Sequence, residues 1–133
     1  METQAARAKA FAQTGLITAE YDVAKHGGEV GSIPIGQKIP ANAIVTSGIV
    51  KVLAVPTSSG AATVAINLES AGDVKAATAI AALTPGLHDV TPDGTAANSF
   101  ETTQERSLTV EVGTAALTAG RFLVLLSYLP GGV

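Results

Sequence analysis

Residues 107–129 read SLTVEVGTAALTAGRFLVLLSYL and contain the two clearest strand signals of the chain. Residues 107–112 alternate between polar and apolar side chains, which predicts a strand with Leu108, Val110 and Val112 facing inward. Residues 113–120 are rich in Gly, Ala and Thr and predict the tip of a long hairpin. A final strand over residues 121–129 follows, and Pro-Gly-Gly at 130–132 ends the fold.

The final strand has large apolar side chains on both of its faces. A strand in a two-layer protein normally leaves one face to water. This strand is therefore either central, with its outer face covered by the N-terminal segment, or part of a subunit interface. A misjudged register is the remaining alternative. The first face carries Phe122, Val124, Leu126 and Tyr128, and the second carries Leu123, Leu125 and Leu129.

Four more strand signals precede this pair, with a turn sequence about every ten residues. Pro34 predicts an edge position for the second of them, and Gly48 predicts a bulge or bend in the third. Such a pattern is typical of an all-β protein, and we predict an antiparallel β-sandwich or barrel, jelly-roll-like, over residues 15–133. The four signals cover residues 16–23, 29–35, 44–55 and 63–69.

The connections between these strands are less clear. Residues 44–55 and 61–69 are predicted to pair as a hairpin around the turn at 56–60. Residues 76–83 are ambiguous between a short helix and an Ala-rich strand. Residues 87–106 are weakly patterned and form the longest candidate loop.

The N-terminal segment has a different composition. Residues 2–13 are rich in Ala and other strong helix formers, and Phe11 is the only large apolar side chain there. A helix with one apolar anchor does not fold alone in water. We predict an arm over residues 1–14 that becomes helical only when docked; a frayed tail is the alternative.

The bulk composition excludes several classes of protein. The chain has 133 residues, of which 47% are hydrophobic and 14% charged, where roughly 25% charged is usual. The longest run of large apolar residues is 122–126, whereas a spanning helix needs about 20 residues, so we expect no contact with a membrane. The 24 alanines raise the hydrophobic fraction without building a core. The first twenty residues contain no secretory signal, and we expect synthesis in a cytoplasm.

The charge and cysteine counts also limit the chemistry. The net charge is −3 and the basic residues are scattered, which disfavours binding to nucleic acid. The chain has no cysteine, which removes disulfides, thiolate chemistry and the usual structural zinc sites. So few charged side chains imply that small polar residues face water, that part of the surface faces another protein, or both.

Candidate catalytic residues are few and isolated. His26 precedes Gly27-Gly28 in a turn, and His88-Asp89 has no nucleophile motif with it. Glu101 and Glu105 are predicted to lie in a solvated segment. No glycine-rich phosphate-binding motif is present. We therefore predict no enzyme, no cofactor and no metal site.

Two stretches resemble small structural proteins of tailed bacteriophages, the head decoration (cement) proteins and head-fibre domains. They are GSIPIGQKIPANAIVT at 31–46 and LTVEVGTAALTAGRF at 108–122, and the resemblance extends over residues 31–129. It implies a β-sandwich or barrel, commonly a homotrimer, that binds the major capsid protein on the outer surface of the virion. It implies no catalytic residue.

From the apolar pattern we predict a set of residues that contact sibling subunits or the capsid. The alternative is a host-receptor or glycan-binding domain of a phage head or tail fibre, with its site on loops 87–106 and 113–120, because loops on a rigid sandwich often bind ligands. The few aromatic residues disfavour that alternative. The predicted interface residues are Phe11, Leu16, Ile17, Ile33, Ile35, Leu123, Leu125 and Leu129.

Overall fold

A computed structural model describes residues 15–130 as a sandwich of two antiparallel sheets. The predicted N-terminal arm, residues 1–14, lies outside the described residues. Within the described part, a short helix, α1 (Val23–His26), follows the first strand, and two 3-10 turns occupy Ile80–Ala82 and Ala96–Asn98. The strands are β1 (Gly15–Asp22), β2 (Gly31–Ile39), β3 (Ala43–Ser58), β4 (Thr63–Asn67), β5 (Lys75–Ala79), β6 (Gly86–Asp93), β7 (Phe100–Glu101), β8 (Arg106–Gly113) and β9 (Leu117–Pro130).

The strand order is that of a jelly roll. Sheet 1 has the order β1-β9-β3-β6, with the short β7 paired to β3, and sheet 2 has the order β2-β8-β4-β5. Strands that follow one another along the chain mostly lie in opposite sheets, and the β4–β5 pair is a hairpin within sheet 2. The predicted all-β, jelly-roll-like sandwich is confirmed.

The core lies between the sheets and is built by the alternation of each strand. In sheet 1, β9 lies between β1 and β3 and turns Phe122, Val124 and Leu126 inward. In sheet 2, β8 lies between β2 and β4 and contributes its three predicted inward residues, all buried. The rings of Tyr21 and Phe122 pack with centroids 5.2 Å apart. The final strand is therefore central in its sheet, and the predicted covering of its outer face by the N-terminal segment stays a prediction.

Both predicted hairpins are wrong in their pairing. β3 lies in sheet 1 and pairs with β9, β6 and β7, whereas β4 lies in sheet 2 beside β8 and β5. Likewise β8 and β9 belong to different sheets, and β9 begins at Leu117, so the segment between them is shorter than predicted. Alternation assigns a face to each residue but does not choose the neighbouring strand.

Residues 87–106 are not one long loop. They hold most of β6 and all of β7. The pattern of β6 is weak because it is an edge strand in which only Val90 and Pro92 are buried. Residues 76–83 hold the rest of β5 and a 3-10 turn. The expected features at Gly48 and Pro34 are confirmed: the β3 register shifts beside Gly48, and β2 is an edge strand.

One buried hydroxyl joins two connecting segments. Thr102 is fully buried; its Oγ1 donates to the Pro40 carbonyl over 2.8 Å and accepts from the Ala43 amide over 3.0 Å. Its backbone also exchanges hydrogen bonds with Asn42 and Ala43. Thr102 thereby fixes the start of β3 against the segment between β7 and β8.

We expect Thr102→Val to lower the free energy of unfolding by about 1–3 kcal/mol, because the isosteric side chain leaves the Pro40 carbonyl and the Ala43 amide without their partner. Chemical denaturation measures the loss. Thr91→Val, at an exposed position of β6, is the matched control and should change stability by less than about 0.5 kcal/mol. Equal free energies of unfolding for Thr102→Val and Thr91→Val would contradict the stabilising role of the buried Thr102 hydroxyl.

A charged cluster lies near Thr102. The Glu69 carboxylate accepts from Arg106 Nε over 2.9 Å and Arg106 Nη2 over 3.1 Å, and from the backbone and hydroxyl of Thr103. These hydrogen bonds, from Arg106 first and then Thr103, lower the pKa of Glu69 to about 2. The cluster connects the segment after β4 to the start of β8.

The Glu69 cluster should make the free energy of unfolding depend on pH. A carboxyl with a lowered pKa in the folded state stabilises the fold above its ordinary pKa of 4.5, and this contribution is lost as the pH falls towards about 2. We expect the stability difference between the wild type and Glu69→Gln to be constant near pH 7 and to shrink between about pH 5 and pH 2. Denaturation at stepped pH measures it; a difference independent of pH would rule out the ionic contribution.

Candidate interaction surface

The exposed large apolar side chains of the described residues are concentrated on one sheet. Six of the seven lie on strands of sheet 1, and the seventh is Val30, just before β2. The outward residues of sheet 2 are instead small or polar, such as Ser32, Thr109 and Glu111. We call the outward-facing residues of sheet 1 the outer face. Its six exposed apolar side chains are Leu16, Ile49, Leu53, Val55, Leu87 and Leu129.

The register of the strands places these side chains in rows across the outer face. Leu125 of β9 lies opposite Thr18 of β1 on one side and Ile49 of β3 on the other. One row further along, Leu123 lies between Glu20 and Lys51, and Lys51 is itself opposite Leu87 of β6. Directly opposite residues on one face contact one another, so Leu125 packs beside Ile49, whereas Lys51 separates Leu123 from Leu87.

A shallow groove crosses the outer face from β1 towards β6. It lies where β3 and β9 carry the small residues Ser47, Gly48 and Ser127 between the larger Leu16, Ile49 and Leu125. On the far side of Gly48 the depression continues to Asp89 and Asp93 of β6. The groove is therefore apolar at its β1 end and acidic at its β6 end.

The structure separates the predicted interface residues into two groups. Leu16 and Leu129 are exposed on the outer face, with Leu123 and Leu125 half-buried beside them. Ile17 and Ile35 are buried in the core, and Ile33 packs against it. The prediction is corrected for these three isoleucines, because alternation along β1 and β2 turns them inward. Phe11 lies outside the described residues.

Sequence reasoning missed four residues of the outer face. Ile49, Leu53 and Val55 belong to β3, whose apolar residues fall on both faces, as the sequence shows for residues 44–55. The same double-faced pattern that singled out the final strand could have found them. Leu87 carries no such signal, because it lies in the segment predicted as a loop.

Charges on the outer face are paired at one end and unpaired at the other. Glu20 accepts from Arg121 Nη2 over 2.7 Å and from Lys25 Nζ over 3.0 Å, and these two cations lower its pKa. At the β6 end, Asp93 accepts from Thr95 and Asn98, hydrogen bonds that also lower its pKa. Within residues 15–130, neither Asp89 nor Asp93 forms an ion pair with a lysine or arginine.

Both histidines contact other residues of the fold. The ring of His26 stacks on Tyr21 with centroids 5.9 Å apart, and His88 Nε2 lies 2.6 Å from the Thr84 carbonyl oxygen. Among the residues that the structure describes, no three His, Asp or Glu side chains are grouped as metal ligands. No helix in the same part of the chain is long and apolar enough to cross a membrane.

Solved structures of phage capsids contain chains of similar fold. A chain of the acid-stable capsid of Helicobacter pylori bacteriophage KHP30 matches with a TM-score of 0.62 and 15% identity over 88% of both chains. A chain of the cyanophage Pam1 capsid asymmetric unit gives 0.63 and 17%, over 89% of this chain and 86% of that one. The capsid of Ralstonia phage GP4 gives 0.57 and 19%, over 88% and 85%. At these identities the similarity shows a shared fold. No protein-family model and no curated sequence matches the chain.

Two substitutions that remove the same number of carbon atoms test which residues face the core and which lie on the outer face. We expect Ile17→Ala to lower the free energy of unfolding by about 2–5 kcal/mol, because it leaves a cavity in the core. Leu53→Ala, on the outer face, should cost less than about 0.5 kcal/mol. Thermal and chemical denaturation compare them, and similar losses in both would contradict the orientation of β1.

Proposed function

We propose that the chain is a virion structural protein, a decoration or cement protein that binds the outer surface of a phage capsid. The observation that carries the proposal is the asymmetry of the sandwich, because the exposed large apolar side chains of the described residues are concentrated on sheet 1. The shared fold with chains of three phage capsids supports it. So does the resemblance of residues 31–46 and 108–122 to decoration proteins.

The proposed mechanism is adhesion without chemistry. Apolar area that leaves water contributes about 25 cal/mol per Å². Over the 8 residues of β1 and their partners on β9, the outer face spans four strands about 4.8 Å apart and roughly 26 Å along the strands, a flat area of about 500 Å². A standard interface buries about 800 Å² on each partner, so this central part of one face is smaller than a standard interface.

Repetition compensates for a small contact surface. We propose that the chain acts as a homotrimer in which each copy presents its outer face to the major capsid protein or to a sibling. Linked contacts raise the overall avidity well above that of one contact. Bridging neighbouring capsid subunits in this way would raise the resistance of the shell to disruption.

The central experiment adds purified protein to capsid shells that lack it and measures both binding and the temperature of shell disruption. We expect stoichiometric binding and a higher disruption temperature. Leu87→Asp should weaken binding at least about tenfold, because it puts a charge into the contact while the exposed site leaves the fold intact. Ser32→Asp, on the polar outer side of sheet 2, is the matched control and should bind like the wild type.

Two binding results would contradict the proposed role of the outer face. Absence of binding, or equal binding by Leu87→Asp and wild type, would remove the outer face from the contact. Light scattering of the purified chain tests the trimer separately, and a monomer of 13.3 kDa would contradict it. Binding to a glycan panel would favour the alternative receptor-binding function.

A further inference from the structure

We propose that the bond between Asp93 and Gly94 is a modification site, at which the chain forms an isoaspartyl linkage when the end of β6 opens. In the folded chain, hydrogen bonds with Thr46, Thr95 and Asn98 hold both reacting groups and keep this reaction slow. The reaction is a property of the isolated chain and does not rest on the proposed function.

The sequence distinguishes this bond from those that follow the other aspartates of the chain. Asp93 is followed by glycine, whereas Asp22, Asp73 and Asp89 are each followed by valine. Isomerisation requires the backbone nitrogen of the next residue to reach the aspartate side chain. A β-branched valine crowds that approach, and glycine has no side chain to crowd it. We therefore expect Asp93-Gly94 to react fastest of the four pairs when the chain is unfolded.

The reaction releases and then takes up water and needs no other reagent. The Gly94 backbone nitrogen attacks Cγ of the protonated Asp93 carboxyl group. An N–Cγ bond forms, and the hydroxyl group leaves with the amide hydrogen as water. Water then opens the resulting succinimide ring. Attack at Cγ restores aspartate, whereas attack at the Asp93 backbone carbonyl carbon breaks the original peptide bond and leaves Gly94 linked through the side chain.

The attacking nitrogen is engaged in the folded chain. The Gly94 amide donates a hydrogen bond to the Thr46 carbonyl oxygen over 2.8 Å, and the preceding residue, Asp93, pairs with Ser47 of β3. The nitrogen must lose its hydrogen to attack, so this hydrogen bond has to break first. Gly94 has a φ of +93°, which side-chain-bearing residues rarely adopt, so the fold itself requires the reactive glycine.

The carboxylate of Asp93 is engaged as well. Its Oδ1 accepts from the Thr95 hydroxyl over 2.7 Å and from the Thr95 amide over 3.1 Å, and its Oδ2 accepts from Asn98 Nδ2 over 3.0 Å. These hydrogen bonds, from Thr95 first and then Asn98, lower the pKa of Asp93. The protonated carboxyl group that the reaction consumes is therefore rarer in the folded chain than in an unfolded one.

The end of β6 is placed where local opening costs little. β6 is an edge strand, and its register against β3 shifts between Ser47 and Ile49. Asp93 and the 3-10 turn that follows at Ala96–Asn98 are exposed, so opening this segment uncovers little apolar surface. Because Asp93 lines the acidic end of the groove, a linkage that lengthens the backbone there alters the outer face.

Ageing the purified chain at neutral pH, folded in buffer or unfolded in guanidinium chloride, measures the reaction. The tryptic peptide 76–106 contains both Asp89 and Asp93, so Asp89 is an internal comparison. Endoproteinase Asp-N cuts before aspartate but not before isoaspartate, and the unchanged mass distinguishes isomerisation from deamidation of Asn98. We expect isoaspartate at position 93, formed at least about tenfold more slowly in the folded chain, as for a strand end open at most about a tenth of the time.

Substitutions test the hydrogen bonds that hold the carboxylate. Thr95→Ala removes a hydroxyl donor and should speed isomerisation of the folded chain several-fold, with no change in guanidinium chloride. Asn98→Ala should act in the same direction. Thr91→Ala is the matched control at an exposed position of β6, where the threonine hydroxyl forms no hydrogen bond with Asp93 among the described residues. It should leave both rates unchanged.

Three results would overturn this assignment. Equal isoaspartate at Asp89 and Asp93 would remove the special reactivity of the glycine pair. Equal rates in the folded and the unfolded chain would show that the fold does not restrain the reaction. Equal rates for folded Thr95→Ala and Thr91→Ala would show that the hydrogen bonds to the carboxylate are not the restraint. All measurements use the chain without capsid, so a failure of capsid binding leaves them unaffected.

Discussion

The structure depends on the packing of β9 in the middle of sheet 1. This strand pairs with β1 along one side and with β3 along the other, and its inward residues Phe122, Val124 and Leu126 lie at the centre of the buried cluster. Because two packed sheets bury only their facing sides, every strand beside β9 must offer its alternate residues to the same core. The faces of β1 and β3 are set by their register with this strand.

The same packing explains why the protein has an apolar exterior on one side. A central strand with leucines at alternate outward positions has no second sheet to cover them, so Leu123 and Leu125 face outward, with Ile49 beside Leu125. Sheet 2 has serine, threonine and glutamate at outward positions, so its outer side exposes polar groups to water. The exposed large apolar side chains of the described residues are therefore unevenly distributed between the two sheets.

Much of the fold could be predicted because periodicity is a local property. The strand at 107–112, the bulge at Gly48 and the edge strand with Pro34 all follow from residues a few positions apart. The candidate site was predicted only in part. Leu16 and Leu125 lie on the outer face, where their contact with another protein stays a prediction. Ile17 and Ile35 are core residues, since composition alone does not show which of two alternating faces is buried.

The sequence by itself determined the segments of β1 to β4, β8 and β9, and that the last one is apolar on both faces. Only the tertiary structure decided that β3 pairs with β9 rather than with β4, and that β6 forms an edge from a segment with little pattern. The physical reason is that backbone hydrogen bonds between strands are the same for any partner. The choice between partners depends on how all the apolar faces can be buried together, which involves residues far apart along the chain.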